Sequence, residues 1–262
     1  MKRTLSLLVM LAVPVSAIAE TSSSLGTGFD YSTGKYGGST STDILYVPVT
    51  AKYEADDLSF KLAVPYISVT GAAGVVRGMG RIRPAVARGG ATMMTTTTTM
   101  ATVSASGLGD ITGSAGYKLY DENAVAIDLV GKVKLGTANA NKGLGTGKND
   151  YSFEVDGYHV VGKTTYFATA GYRVVGKPAG LALNNVAYGT IGANRKLDDR
   201  LSVGLMLDAA QSASPAGAGP VEVTAYVTKK LRDTLKVQAN LLKGLSDGSP
   251  DWGFGAMITS TF

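Results

Sequence analysis

Alternation with a period of two runs through most of the chain and restricts its fold more than any other feature. Leu58-Ser-Phe60-Lys-Leu62-Ala-Val64 sets Leu58, Phe60, Leu62 and Val64 on one face and Ser59, Lys61 and Ala63 on the other. Val125 to Leu135 does the same, with Asp128, Lys132 and Lys134 opposite an apolar row, and Leu201–Asp208 and Leu235–Leu241 repeat it. Side chains spaced in this way belong to strands with one apolar and one polar face. Twelve such segments can be marked, at 26–36, 43–54, 58–70, 109–120, 124–137, 150–161, 164–176, 186–197, 201–213, 219–231, 235–247 and 251–262. Strands of soluble sheets usually have about 5–6 residues, whereas a tilted strand needs about 9–11 to cross a bilayer. The length of these segments selects a membrane-crossing sheet over a soluble sandwich.

The connections alternate too. Short polar turns sit at Ala55-Asp56-Asp57, Asp121-Glu122-Asn123, Gly162-Lys163, Asp198-Asp199-Arg200 and Arg232-Asp233-Thr234. The other connections are 37–42, 71–108, 138–149, 177–185, 214–218 and 248–250. Short turns on one side and long loops on the other are the pattern of an outer-membrane barrel. An even strand count returns both termini to the short-turn, periplasmic side. The expected fold is therefore all-β, a transmembrane antiparallel up-and-down β-barrel of about 12 strands. It forms one domain over 20–262, with a long extracellular loop at 71–108. Closure leaves no free sheet edge to aggregate. Trp252, Phe254, Ala256, Ile258 and Phe262 share a face of the last segment. Ending on Phe262, this strand looks like the signal read by the outer-membrane assembly machinery, although Ser260 departs from that pattern.

Residues 1–19, MKRTLSLLVMLAVPVSAIA, read as a cleaved signal peptide. Lys2 and Arg3 form the basic region, Leu5 to Val15 the apolar core and Ala17-Ile18-Ala19 the cleavage site, so that Glu20 opens the mature chain. The apolar run is shorter than the roughly 20 residues of a spanning helix, and no later run reaches that length. The expected destination is the bacterial outer membrane, with its lipid and lipopolysaccharide as partners. With no cysteine and His159 alone, neither a thiolate nor a His-rich metal site can be built, and no cofactor is implied. The net charge of +5 falls to +3 without Lys2 and Arg3. That excess is too weak to point to nucleic acid.

In a transmembrane barrel the apolar face meets lipid and the other face lines the lumen. Parity turns Lys61, Asp110, Lys118, Asp128, Lys132, Lys134, Glu154, Asp156, Arg173, Asp208 and Glu222 inward, together with Lys52, Glu54, Lys196, Lys230 and Lys236. A Lys or Arg facing lipid at the midplane costs about 2–4 kcal/mol, which compels this orientation for mid-strand charges. The mixed signs offer no strong ion selectivity. They fit either a polar pathway or an ion-pair network that fills the barrel. Tyr53, Tyr117 and Trp252, at strand ends on the apolar face, read as interface girdle residues. Pro48 and Pro65 interrupt adjacent strands at matching places. They mark tolerated bulges, or else a kink or lateral slot in the wall. In loop 71–108, Arg77, Arg81, Arg83 and Arg88 lie among glycines ahead of a run from Met93 to Met100. The loop either folds inward as a constriction, its arginines meeting lumenal carboxylates, or lies outside near lipopolysaccharide phosphates.

Catalytic motifs are weak, and the chain reads as a non-enzyme. A lipid hydrolase would need a His beside a Ser or a metal-bound water. His159 faces lipid near the short-turn end, with no Ser two residues away. Gly143-Leu-Gly145-Thr-Gly147-Lys148 is followed by a strand, not a helix, and lacks phosphate-loop spacing.

Several strand-end patterns carry a family resemblance. They are Val47-Pro-Val-Thr-Ala-Lys-Tyr53-Glu, Leu62-Ala-Val-Pro-Tyr66-Ile-Ser-Val-Thr70, Ser106-Gly-Leu-Gly-Asp110-Ile, Lys134-Leu-Gly-Thr137 and Lys142-Gly-Leu-Gly-Thr-Gly-Lys-Asn-Asp-Tyr151-Ser. Over about 43–262 the chain resembles the outer-membrane "transporter" family of the meta-pathway of phenol degradation type. The Thr-rich run and arginines of loop 71–108 depart from that family's glycine-rich loop. The resemblance implies a barrel channel for small aromatic or other hydrophobic compounds and carries no set of functional residues. The reading is passive uptake of small solutes across the outer membrane. A structural or partner-binding barrel with a plugged lumen is the alternative, and an outer-membrane lipid hydrolase is a distant third.

Overall fold

Strand after strand, the chain zigzags between two ends and closes on itself. The computed structural model describes residues 21–72, 75–76, 80–81, 102–215 and 217–262. The wall strands are β1 Thr21–Gly34, β2 Thr42–Ala55, β3 Leu58–Ala72, β4 in two pieces Thr102–Leu108 and Ile111–Glu122, β5 Val125–Leu135 and β6 Asp150–Val161. They continue with β7 Thr164–Val174, β8 Val186–Lys196, β9 Leu201–Ala210, β10 Val221–Arg232, β11 Leu235–Gly244 and β12 Trp252–Thr261. Every strand pairs antiparallel with its neighbours in sequence. β1 also pairs with β12, from Ser24↔Thr261 to Thr33↔Trp252, so the sheet closes with twelve strands. Phe262 completes that seam, donating its amide hydrogen to the Ser23 carbonyl at 2.8 Å.

The short turns use conformations that match strand twist. Asn123 and Ala124 both have positive φ, 53° and 65°, as a two-residue primed hairpin requires. The expected turn at Asp121-Glu122-Asn123 therefore sits slightly later, with Asp121 and Glu122 still paired in β4. At 198–201 the Asp198 carboxylate accepts the Arg200 and Leu201 amides at 2.7 and 2.8 Å, a local fastening typical of Asp in turns.

The expected loop 71–108 is shorter at both ends. Gly71 and Ala72 extend β3, and Thr102–Leu108 pairs with them and their neighbours from Ala72↔Thr102 to Tyr66↔Leu108. Thr102-Val-Ser-Ala-Ser-Gly has no row of large apolar residues to mark a strand, but small and β-branched residues fit a ladder when a partner strand is present. Val75–Val76 and Gly80–Arg81 form a small ribbon. Arg77, Arg83 and Arg88 lie outside the described residues, as does the expected signal segment 1–19. The first strand also starts earlier than expected, at Thr21.

The two prolines face each other, Pro48↔Pro65, within a β2–β3 ladder that runs unbroken from Asp43↔Thr70 to Ala55↔Leu58. They open no lateral slot there. On the β1 side, Thr27 Oγ1 donates to the Pro48 carbonyl at 3.0 Å. On the β4 side, Gly109 donates to the Pro65 carbonyl at 2.8 Å. Three steps on β3, from Tyr66 to Ala63, oppose four on β4, from Leu108 to Thr112. This β-bulge re-aims the side chain at Asp110.

Parity divides the wall. Val49, Leu62, Tyr166, Ile191, Leu205 and Leu241 are large, apolar and exposed on the outer face. Polar side chains such as Asp150, Glu154 and Thr224 are buried on the inner one. Among the described residues no helix is long and apolar enough to span a membrane. The span is made by strands. At the β1–β12 seam the outer face carries Phe29, Tyr31, Trp252 and Phe254 in ring contact, with centroids 5.5–6.0 Å apart.

Candidate functional site

The lumen is the candidate site, and its long-loop mouth is apolar. Residues 136–149 fold over it through one 3-10 turn, Ala140–Lys142, capped by Asn139 and ended by Gly143 at φ 72°. This drives Ala138 and Leu144 into a buried cluster with Tyr36, Ile44 and Ile67, against which Tyr46, Val69 and Ala105 pack. Burying a side chain such as Leu144 stabilises by about 1.5–3 kcal/mol. The base of the loop is tied to the β4 bulge. Ala138 donates its amide hydrogen to Asp110 Oδ1 at 2.9 Å, and Ile111 donates to Thr137 Oγ1 at 3.0 Å. Val175, Leu183, Val186 and Ala213 form a second buried apolar cluster where β7–β9 meet their loops.

Below the mouth runs a column of ion pairs on β4–β8. Lys134 lies between Asp110 at 3.0 Å and Asp150 at 3.1 Å. Asp150, almost wholly buried, also accepts the Gly176 amide at 2.9 Å. One layer further in, Lys132 meets Glu154 at 2.5 Å, and the Tyr188 hydroxyl donates to the same carboxylate at 2.5 Å. The Arg173 guanidinium lies 5.7 Å from the Tyr188 ring centre. A buried carboxylate is costly unless paired and hydrogen-bonded, and Glu154 is only 4% exposed. The Lys132 ammonium and the Tyr188 hydroxyl supply those partners.

The other arc of the lumen is acidic. Thr190 donates to Asp208 at 2.6 Å, and Asp208 stands directly across the ladder from Glu222. Asn240 donates to Asp30 at 3.3 Å across β12, where the absent side chain of Gly255 leaves room. Between the arcs lies a cavity of about 510 Å³, reached by Tyr46, Ile67, Leu144, Arg173, Tyr188 and Asp208. A second cavity of about 380 Å³ occupies the short-turn half, lined among others by Tyr158, Phe167, Asn194, Tyr226, Lys236 and Met257.

The structure brings Asp110, Lys132, Lys134 and Glu154 into the ion-pair column, sets Arg173 beside it against the Tyr188 ring, and brings Asp208 and Glu222 into the acidic arc. The other candidates stand apart from both. Asp128 and Asp156 oppose each other on β5 and β6, with Thr169 donating to Asp156 at 2.5 Å. Lys118 pairs with Asp121 at 3.0 Å at the short-turn rim. Lys61 opposes Lys52 and has no ion-pair partner among the described residues. Of the loop arginines, only the Arg81 backbone is described, paired with Val75. His159 is exposed on the outer face, opposite Val125 and Tyr166, away from the lumen. Sequence reasoning missed Asp30, Asp150, Tyr188 and Leu144. Continuing the alternation of β1 would have turned Asp30 inward, but nothing local marks Leu144 as buried.

No family model matches the chain, and no curated protein matches it. Solved structures do. An outer membrane channel from Pseudomonas putida F1 superposes with a TM-score of 0.65 at 12% identity, over 97% of this chain and 100% of that one. KdgM porin gives 0.54 at 9% identity, over 91% and 99%. The beta domain of the Bordetella autotransporter Brka gives 0.54 at 12%, over 93% and 100%. At these identities the likeness is one of fold, and it agrees with the register, the closure and the outward apolar belt: the chain is a closed, twelve-stranded, antiparallel transmembrane β-barrel.

Proposed function

We propose that the chain is a passive outer-membrane channel for small solutes, hydrophobic and aromatic ones among them, of the meta-pathway "transporter" type. The observation that carries this reading is the cavity of about 510 Å³ inside a closed transmembrane wall, beneath a mouth lined by Tyr36, Tyr46, Ile67 and Leu144. An apolar mouth favours entry of apolar solutes, because their hydration shell is shed at the threshold. The resemblance of the strand-end motifs points the same way, as does the outer membrane channel from Pseudomonas putida F1 among the folds superposed. In this reading the signal segment 1–19 is removed, and the assembly machinery engages the strand ending at Phe262. The short turns and both termini face the periplasm, and the long loops meet lipopolysaccharide. The arginines of loop 71–108 form a constriction. The test is conductance. Purified protein in a planar bilayer gives discrete current steps, and liposomes carrying it admit small solutes faster than empty ones.

The second reading is a barrel with a plugged lumen that serves structure or partner binding. The ion-pair column and the inward fold of 136–149 favour it, since both fill space. Absence of current steps from protein that is folded by heat-modifiable gel migration would select this reading.

A further inference from the structure

Three inward aromatic rings lie opposite glycine across the ladder. Phe167 pairs with Gly192 and Tyr188 with Gly171 in β7–β8, and Tyr226 pairs with Gly204 in β9–β10. In each case the ring occupies the place of the missing side chain. A Cβ on Gly204 would lie 2.6 Å from Tyr226 Cε1 and one on Gly171 2.6 Å from Tyr188 Cε2, while one on Gly192 would lie 2.8 Å from Phe167 Cε2 and 2.7 Å from the Leu205 carbonyl oxygen. Real Cβ atoms do not approach so closely, so each ring lies over bare backbone. An inward aromatic opposite any larger residue would have to stand away from the wall, into the bore. The rings are spread along the passage, with Tyr188 beside the upper cavity and Phe167 and Tyr226 beside the lower one.

We propose that Gly171, Gly192 and Gly204 set the bore of the barrel, folding three aromatic side chains back against the wall so that the lumen stays open past them. This rests on the channel reading and deepens it, making these glycines determinants of solute size. Ring-on-glycine contacts also stabilise strand pairs. The test therefore has to separate aperture from stability.

The separation comes from a paired variant at Gly204, where an added Cβ meets only the Tyr226 ring. Gly204→Ala lifts that ring into the bore, and the expected result is a lower single-channel conductance with retained heat-modifiable folding. Adding Tyr226→Ala to Gly204→Ala removes the displaced ring and restores conductance to at least the wild-type level. It does so although the double variant is less stable than the wild type. A folded single variant with unchanged conductance, or a double variant that conducts no better than the single one, would overturn the proposal. The chain contains no cysteine, so a thiol can be placed in the lower cavity by Met257→Cys without background. Its labelling by water-soluble maleimides of increasing size reads the aperture even if the wild type gives no current steps. In that outcome the channel reading fails, while a size limit that shrinks in Gly204→Ala keeps the bore assignment. A limit unchanged by that substitution removes it.

Discussion

Asp110 reaches Lys134 at 3.0 Å because β4 carries one extra residue at the level of Pro65. The bulge turns the carboxylate so that one oxygen holds Lys134 and the other takes the Ala138 amide of the mouth loop. Sequence, wall geometry and loop position meet at this residue. Pro65 cannot donate to the ladder, the ladder is displaced beside it, and the side chain freed by the displacement anchors 136–149.

Asp110→Ala is therefore expected to loosen the mouth without dissolving the barrel. It removes one charge-assisted bond to Lys134 and leaves the Ala138 amide without its partner. The expected cost is about 1.5–3 kcal/mol, the usual range for a hydrogen bond to a charged group. Lys134 keeps Asp150, so the column below persists. Urea unfolding in lipid vesicles measures the loss. Faster protease cleavage within 136–149, with the wall intact, would place that loss in the loop.

Neighbouring strands explain why some of this was legible in the sequence and some was not. Leu129 and Asp128 could be assigned to opposite faces from alternation alone, because a strand's period of two is local. The same holds for Lys132 and Glu154, whose inward orientation follows from their own segments. That they touch depends on the β5–β6 register, and that Tyr188 joins them depends on a strand further round the wall. Alternation carries neither fact. The bulge at Gly109–Asp110 inserts one residue without changing composition, and Leu144 in a glycine-rich loop has no periodicity to reveal its burial. Thr102–Leu108 reads as loop because its small side chains mask a strand that β3 completes.

The inner ion pairs are expected to differ in worth according to the burial of their acids. Removing Lys132 strands the Glu154 carboxylate, whose side chain is 6% exposed. Breaking such a pair costs on the order of 3 kcal/mol, less where lumenal water reaches the site. Removing Lys118 strands Asp121 at an open rim, where exposed pairs contribute little. Lys132→Met should lower the unfolding midpoint clearly and Lys118→Met should not. Equal shifts would mean that water screens Glu154 as fully as it does Asp121. Lys132→Met with Glu154→Gln is expected to recover most of the loss, since no buried charge is then left alone.

The arginines of loop 71–108 give a permeation test. If the loop is a constriction, replacing Arg77, Arg81, Arg83 and Arg88 with Ser removes four positive charges from the pathway. Conductance should rise, and the reversal potential in a salt gradient should move toward cations. Folding should be unaffected, because loop composition contributes little to wall pairing. Unchanged conductance and reversal potential would put the loop outside the pathway.

The two faces of β5 give the sharpest test of the barrel itself. Leu129 stands across from Tyr117 and Val155 on the outer face, and Val130 stands across from Gly116 and Glu154 on the inner one. Leu129→Arg carries a guanidinium into lipid and should destabilise by about 2–4 kcal/mol near the midplane. Val130→Arg places the same group beside the Glu154 carboxylate, in a lumen that already holds lysines, so its cost should be much smaller. Val130 is the stronger strand former, but strand propensities span only about 1 kcal/mol, so a larger loss at Leu129 reports the surroundings. Refolding titrations of the two variants in vesicles measure the difference directly. Equal effects would mean that β5 is slipped by one residue relative to its neighbours, since such a slip exchanges every side chain between lipid and lumen.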